Sequence, residues 1–256
     1  ALLREETSRL LRTSAAMYMF LAEEAVRQLG DRAEPIIRRH LRRYGEFRGY
    51  ELREAHRALG LPINMETLQT HWDSASGLIS VGDSAGGKMF SPCKTVYDVY
   101  ECPASVVWQG HNFWRWGHVY CDEFHESCAH TYHPNAHVVI PQDLMKKGDD
   151  HCAFTWTMLP DEKEPNWGPV SELGKKLAKN YMPKTNEEAA QKALIRGSRL
   201  HGARYATFAK ELLAEGLAGE AVLREGLRKF SRYRGEMLLG EHQSLDRHDM
   251  SKARMC

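Results

Sequence analysis

Apolar residues recur every three to four positions through the first sixty residues: Leu10, Met17, Phe20, Leu21, Ala25 and Leu29 mark one stripe, and Ile36, Ile37, Leu41 and Tyr44 mark a second. The spacing predicts amphipathic helices. Gly30-Asp31 separates the first two, and Pro35 suits the first turn of the second, where its missing N–H has no helical partner. Gly60 and Pro62 end a third piece. From Met65 to Gly87 the pattern turns polar and glycine-rich, closing on Gly82-Asp83-Ser84-Ala85-Gly86-Gly87, which is loop chemistry. Residues 95–102, bounded by Pro92 and Pro103, are rich in aromatic and β-branched types and read as a strand. Residues 113–129 read as a helix. Two more strands are expected at 136–140 and 152–158, the latter alternating Phe154, Trp156 and Met158 with smaller side chains. A proline- and charge-rich connector follows, and residues 186–239 are helical again.

The layout is α+β. An N-terminal helical layer spans 1–62, an α+β core with a small, mainly antiparallel sheet spans 63–160, a connector spans 161–185, and C-terminal helices span 186–256, all within one compact domain. The C-terminal helices echo the first layer: residues 34–49 align without gaps onto 220–235, apolar position on apolar position. Two accounts stand, a duplicated helical unit forming a pseudo-symmetric pair, or convergent amphipathic patterns. Arg38, Arg39, Arg42 and Arg43 alternate with acids on these helices and read as a solvated face.

With 256 residues, 42% of them hydrophobic, the chain can bury a real core, which excludes disorder. Thirty-five basic side chains against thirty-four acidic ones give a formal charge of +1. No global field draws the protein to nucleic acid or to a membrane surface, so small molecules or proteins are the expected partners, with the helices available for homo-oligomer contact. No apolar run approaches the roughly 18 residues of a membrane span, and the first residues lack signal-peptide order, so a cytoplasmic location is expected. Six cysteines lying beside histidines in so long a chain point to free thiols.

The chemistry concentrates in one stretch. Residues 111 to 152 hold seven of the thirteen histidines and three of the six cysteines. On a helix, Cys121, His125 and Cys128 share a face at i, i+4 and i+7, which makes a thiol and an imidazole neighbours. Such a pair suits covalent hydrolysis at an amide or amidine carbon: the imidazole takes the thiol proton, sulfur attacks, and the imidazole then protonates the departing nitrogen. His130 and His111 are candidate assistants, and Asp122 or Glu126 could fix the tautomer. Trp108, Trp114 and Trp116, with Tyr132 and His133, are candidates for the wall of a flat pocket, or else for core. Zinc held by Cys121, His125 and Cys128 is the alternative to a reaction without cofactor, although the spacing is not a paired zinc-ligand motif.

Four elements then carry a resemblance: Gly45-Glu-Phe-Arg-Gly49 on a helix, a strand ending in Glu101-Cys102-Pro103, Tyr120-Cys121 followed by Tyr132-His133-Pro134, and Gly148-Asp149-Asp150-His151-Cys152-Ala153-Phe154. In order and spacing this series resembles the L-2-amino-thiazoline-4-carboxylic acid hydrolase family over about residues 15–158. The resemblance implies an α+β domain and the hydrolytic opening of a small cyclic amidine at a C–N bond. Cys121 and Cys152 occupy the positions of the family's two recognisable cysteines. The glycine–aspartate–cysteine element also resembles small-molecule sensing domains, in which that cysteine is structural or a ligand. Read from the residues alone, Gly148 supplies a turn into a strand and Cys152 can pack as a structural cysteine or stand as a second catalytic candidate, with Cys121 and His125 the favoured chemical pair. The function expected is therefore a hydrolase of cyclic amidines, lactams or related rings, against a non-enzymatic small-molecule or metal-binding module using the same cluster. Cleavage of an electrophile or organometal by the cysteines is the weaker third reading.

Overall fold

The computed structural model describes residues 2–72, 89–159, 165–179 and 187–244. Helices α1 (Leu2–Leu29) and α2 (Ala33–Ala58) open the chain, joined by a single 3-10 turn at Gly30–Arg32. Their stripes bury Ala15, Met19, Ala22, Ile37 and Leu41 completely, as the periodicity requires. Helix α2 runs unbroken until Gly60 (φ +70°) turns the chain, so the expected third piece is its second half. Gly45 and Gly49 stay helical inside it because a neighbouring helix fills the space their side chains leave.

The polar stretch after Met65 opens with a short helix, α3 (Met65–Thr70), where Asn64 Oδ1 accepts the Thr67 N–H at 2.8 Å. The Gly82–Gly87 run lies outside the described residues. Strands β1 (Met89–Phe90) and β2 (Lys94–Val99) follow. Strand β2 stops at Val99, short of Cys102, because Cys102 is the N-cap of helix α4 (Pro103–Gly110). Pro103 starts that helix, whereas the sequence reading took it as the end of a strand. Helix α5 (Trp114–Tyr132), strands β3 (Ala136–Val139) and β4 (Cys152–Met158), and helices α6 (Glu172–Lys179), α7 (Glu187–Leu213) and α8 (Leu217–Ser244) complete the described chain. Helix α6 falls in the expected connector. Among the described residues no helix is long and apolar enough to cross a membrane.

The sheet is antiparallel in the order β1-β2-β4-β3. Its register sets Thr95, Tyr97 and Val99 opposite Trp156, Phe154 and Cys152, so the period of two puts six buried side chains on one face. Helix α5 lies against that face, with the His125 ring 5.0 Å from Phe154 and 5.9 Å from Trp156. The other side of α5 rests on α2 at very short range. A Cβ at Gly45 would stand 2.6 Å from the Phe124 carbonyl oxygen, and one at Gly49 only 2.3 Å from that of Cys128. The Arg53 guanidinium donates to the Thr131 carbonyl (2.7 Å) and the Tyr132 hydroxyl donates to His56 Nδ1 (2.9 Å), which pins the end of α5 to α2. Its start is held through Tyr18, whose hydroxyl donates to the Trp116 carbonyl at 3.0 Å.

Two buried clusters result, one among the helices and one between the sheet and α5; Cys121 and Trp72 touch both. Of the echoing segments, α2 packs on α5 and α7, while α8 packs on α1 and α7, with Gly226 against Leu21.

Candidate active site

At the seam between the two clusters lies a cavity of about 210 Å³. That suits a small heterocycle and falls below the ~300–1,000 Å³ of drug-sized sites. The sheet supplies one wall through Tyr97, Val99, Cys152, Phe154 and Trp156, and α5 supplies another through Tyr120, Cys121, Phe124 and His125. Tyr44 and Arg48 enter from α2, Gln69 and Trp72 from the α3 region, and Cys102 and Trp108 from either end of α4. Leu200, His201 and Arg204 close it from α7. Aromatic faces thus dominate, with few polar groups among them.

Cys121 and His125 project together because α5 places them one turn apart. The imidazole does not bond the thiol. Its Nδ1 lies 2.6 Å from the Cys121 carbonyl oxygen, which can only accept, so Nδ1 carries the proton and Nε2 keeps its lone pair. His125 opens to the cavity but is enclosed by protein, and this burial lowers its pKa to about 4. Near pH 7 it is a neutral base.

Three thiols share the cavity wall. Burial pushes Cys121 far above the usual thiol range, and the Asp143 carboxylate adds to the rise. Burial raises Cys152 as well; its sulfur accepts the Leu144 N–H at 3.3 Å and lies 3.7 Å from Asp143 Oδ1. Cys102 is raised by burial too, opposed by hydrogen bonds from Ser105 and Ala104 at the start of α4. Asp143 is fully buried, accepting the Met145 N–H at 2.8 Å and pairing with His118 Nδ1 at 2.7 Å. It sets a negative charge behind the thiols. The loop that holds it turns at Gly148, whose φ of +104° favours glycine.

The cavity gathers Cys121, His125, Cys152 and Trp108 from the sequence candidates. Trp108 is buried, its indole N–H donating to the Ala15 carbonyl at 3.0 Å. The other candidates lie elsewhere, for reasons of helix geometry. Trp114 shares the face of Cys121 but seven residues earlier, about 10 Å along the axis; Lys147 Nζ lies 5.9 Å from its ring centroid. Trp116 is rotated roughly 140° from Cys121 and packs beneath Arg115. Tyr132 lies two turns beyond His125 and bonds His56. His130 is exposed beside His137, His111 is exposed against Phe20 and Tyr233, and His133 is buried against Trp167. Cys128 sits in the sheet-side cluster, and among the described residues no three His, Cys, Asp or Glu side chains converge to hold a metal ion.

Sequence reasoning missed Asp143, Gln69, His201 and Arg204. A single acid in a loop and isolated polar residues on amphipathic helices carry no local pattern that marks them as cavity groups. The electrostatics give a direct expectation. Among the described cysteines, alkylation of the ligand-free protein at pH 7 should modify exposed Cys93 before Cys102, Cys121 or Cys152, because thiols with raised pKa values hold well under ~1% thiolate. Time-resolved peptide mapping reads the order, and a cavity thiol reacting first would contradict this electrostatic picture.

A sequence model of the L-2-amino-thiazoline-4-carboxylic acid hydrolase family matches residues 11–156. No curated protein and no solved structure matches the chain. The matched segment includes the three cavity thiols, His125 and Asp143. Helix α7, with His201 and Arg204, lies outside it.

Proposed function

The chain belongs to the L-2-amino-thiazoline-4-carboxylic acid hydrolase family, and on that premise we propose that it opens a C–N bond in a small cyclic amidine, lactam or related ring through Cys121 and His125. The observation that supports this proposal is that Cys121 and a neutral His125 imidazole, one helical turn apart, line the wall of one aromatic cavity sized for a small ring. Trp108, Tyr120, Phe154 and Trp156 offer flat apolar faces to such a ring.

In the proposed sequence, His125 Nε2 accepts the Cys121 thiol proton as sulfur bonds to the amidine or amide carbon. The tetrahedral adduct collapses by breaking the ring C–N bond, and the imidazolium returns the proton to the departing nitrogen. Water, deprotonated by the same nitrogen, then adds to the sulfur-linked carbon and the thiol leaves. One water is consumed and no cofactor is called on. Cys152, held by Leu144 N–H and Asp143, is assigned packing and positioning; His111 and His130 lie too far out to be assigned a step.

The test is incubation with L-2-amino-thiazoline-4-carboxylate and a panel of related cyclic amidines and lactams, followed by mass spectrometry and thiol titration. A product heavier by one water, without a newly titratable thiol from a thiazoline ring, is expected. A new thiol would instead mean C–S cleavage, and failure to open any ring would overturn the proposal. Saturable binding without turnover would favour the binding-module alternative.

A further inference from the structure

Arg204 brings a permanent positive charge to the cavity wall, is only 8% exposed and forms no ion pair among the described residues. Its guanidinium carbon lies 5.2 Å from the Tyr44 ring centroid and 4.9 Å from that of Tyr120, and the side chain is hydrogen-bonded to Tyr44, so tyrosines rather than an acid are its company. Its Nε is buried without a hydrogen-bond partner. Two other cavity-lining groups share that condition, His201 Nδ1, one turn before it on α7, and Gln69 Nε2. Buried polar atoms in folded proteins almost always find partners, so three cavity-lining side chains that each carry an orphan atom mark a polar ligand site.

The contrast with the other buried charges is plain. Arg48, in the same wall, pairs with Glu51, which also takes two bonds from Arg199; Glu211 pairs with Arg39 and Arg43; Glu24 with Arg27 and Lys229. A buried cation without an acid partner is costly and persists where it serves a ligand. Asp143 lies behind the thiol of Cys152 and is paired with His118, outside the cavity lining, so Arg204 is the charge in the wall without an acid partner and matches a ring bearing a carboxylate.

We propose that Arg204 is the carboxylate anchor of this cavity, gripping the acid group of a ring substrate with donors from Gln69 and His201 beside it, and thereby selecting ring acids over neutral rings and aiming the amidine carbon at Cys121. The assignment rests on the hydrolase proposed above and extends it to a residue outside the matched family segment.

The experiment compares a ring acid, L-2-amino-thiazoline-4-carboxylate, with its carboxamide, in the wild-type protein and in Arg204→Met and Arg204→Lys. Wild type should favour the acid by about 10²-fold or more in kcat/KM, since a buried donor set left unmatched rejects the neutral analogue. In Arg204→Met that preference should vanish through loss of activity toward the acid, with the carboxamide changed only a few-fold. Arg204→Lys should restore part of it, because the charge returns without the two-pronged geometry. Equal wild-type activity on acid and amide, or equal loss of both in Arg204→Met, would overturn the anchor. Thermal unfolding supplies a readout without turnover: the acid should raise the wild-type midpoint, the amide should not, and ligand-free Arg204→Met should melt no lower than wild type because a buried cation without an acid partner has gone. A lowered ligand-free midpoint would mark Arg204 as structural. If no ring is opened but the acid alone shifts the midpoint, the anchor stands and the hydrolase falls. Should Arg204→Met fail to fold, Arg204→Gln takes its place with the same expected and overturning outcomes.

Discussion

Exchanging Cys121 for serine is expected to abolish ring opening while the circular dichroism spectrum and thermal midpoint stay at wild-type values, because serine keeps the shape of the side chain and removes the nucleophile. The resting electrostatics sharpen the expectation. Burial holds the Cys121 thiol well above its ordinary range and the His125 imidazole down at about 4, so proton transfer between them in the empty cavity is strongly unfavourable. In the proposed mechanism sulfur therefore ionises only as it attacks, helped by a cationic amidine brought next to it. His125→Gln should then lower kcat by roughly 10²–10⁴-fold, since glutamine can still donate to the Cys121 carbonyl but cannot take a proton. Loss in the histidine variant with full activity in the serine variant would assign the attack to water activated by the imidazole. The pH profile adds a check. In the proposed mechanism the neutral imidazole is the active form, so its acid limb should lie near pH 4, well below the 6.5 of a solvent-exposed histidine.

Stability shares this pH dependence. His125 and His201 (about 4 and about 3), like His40, are held below their unfolded values by burial. The unfolded chain takes up protons below pH 6.5 that the folded one refuses, so stability is complete above that value and declines as pH falls toward the folded pKa values. Each group contributes about 1.4 kcal/mol per pH unit across its window. Rates at low pH thus need comparison with the melting curve at the same pH.

A second large effect is expected at the crossing of α2 and α5. Gly49→Val should destabilise the protein by about 3 kcal/mol or more, because a Cβ there meets the Cys128 carbonyl oxygen at 2.3 Å, the Thr131 Cβ at 2.9 Å and the Tyr132 nitrogen at 2.9 Å, and backbone cannot yield as a side chain can. For a chain of this size that is a drop of roughly 6–12 °C in Tm. Activity should fall with it, since the helix pushed away carries Cys121 and His125. Gly202→Ala on α7 is the control of opposite sign: nothing lies within 4 Å of its added methyl group, and the helix gains roughly 0.5–1 kcal/mol. A tolerated Gly49→Val would show that the two helices are not in the contact described.

The sequence exposed what local pattern controls. Alternation at 152–158 placed Cys152, Phe154 and Trp156 on one sheet face, and the i, i+4 spacing placed Cys121 beside His125 on one helix face. Density misled where geometry rotates neighbours apart: Trp114 and Trp116 are two residues distant yet point to different surroundings, and the clustered histidines disperse to separate acids, His118 to Asp143, His137 to Glu126 and His151 to Asp150. Pro103 was ambiguous, since proline closes strands and opens helices alike. Arg204 and Gln69 could not be read at all, because what distinguishes them is a buried nitrogen left without a hydrogen-bond partner, a property of tertiary packing.

The cavity draws on Thr7 and Leu10 near one end of the chain and on Arg204 almost two hundred residues later. A ribosome releasing this polypeptide has long since delivered Cys121 and His125 when the Arg204 guanidinium emerges, so until then the proposed pair faces an unfinished compartment. On that proposal competence arrives late in synthesis, and a nascent or shortened polypeptide ending after β4 holds the pair without the chamber.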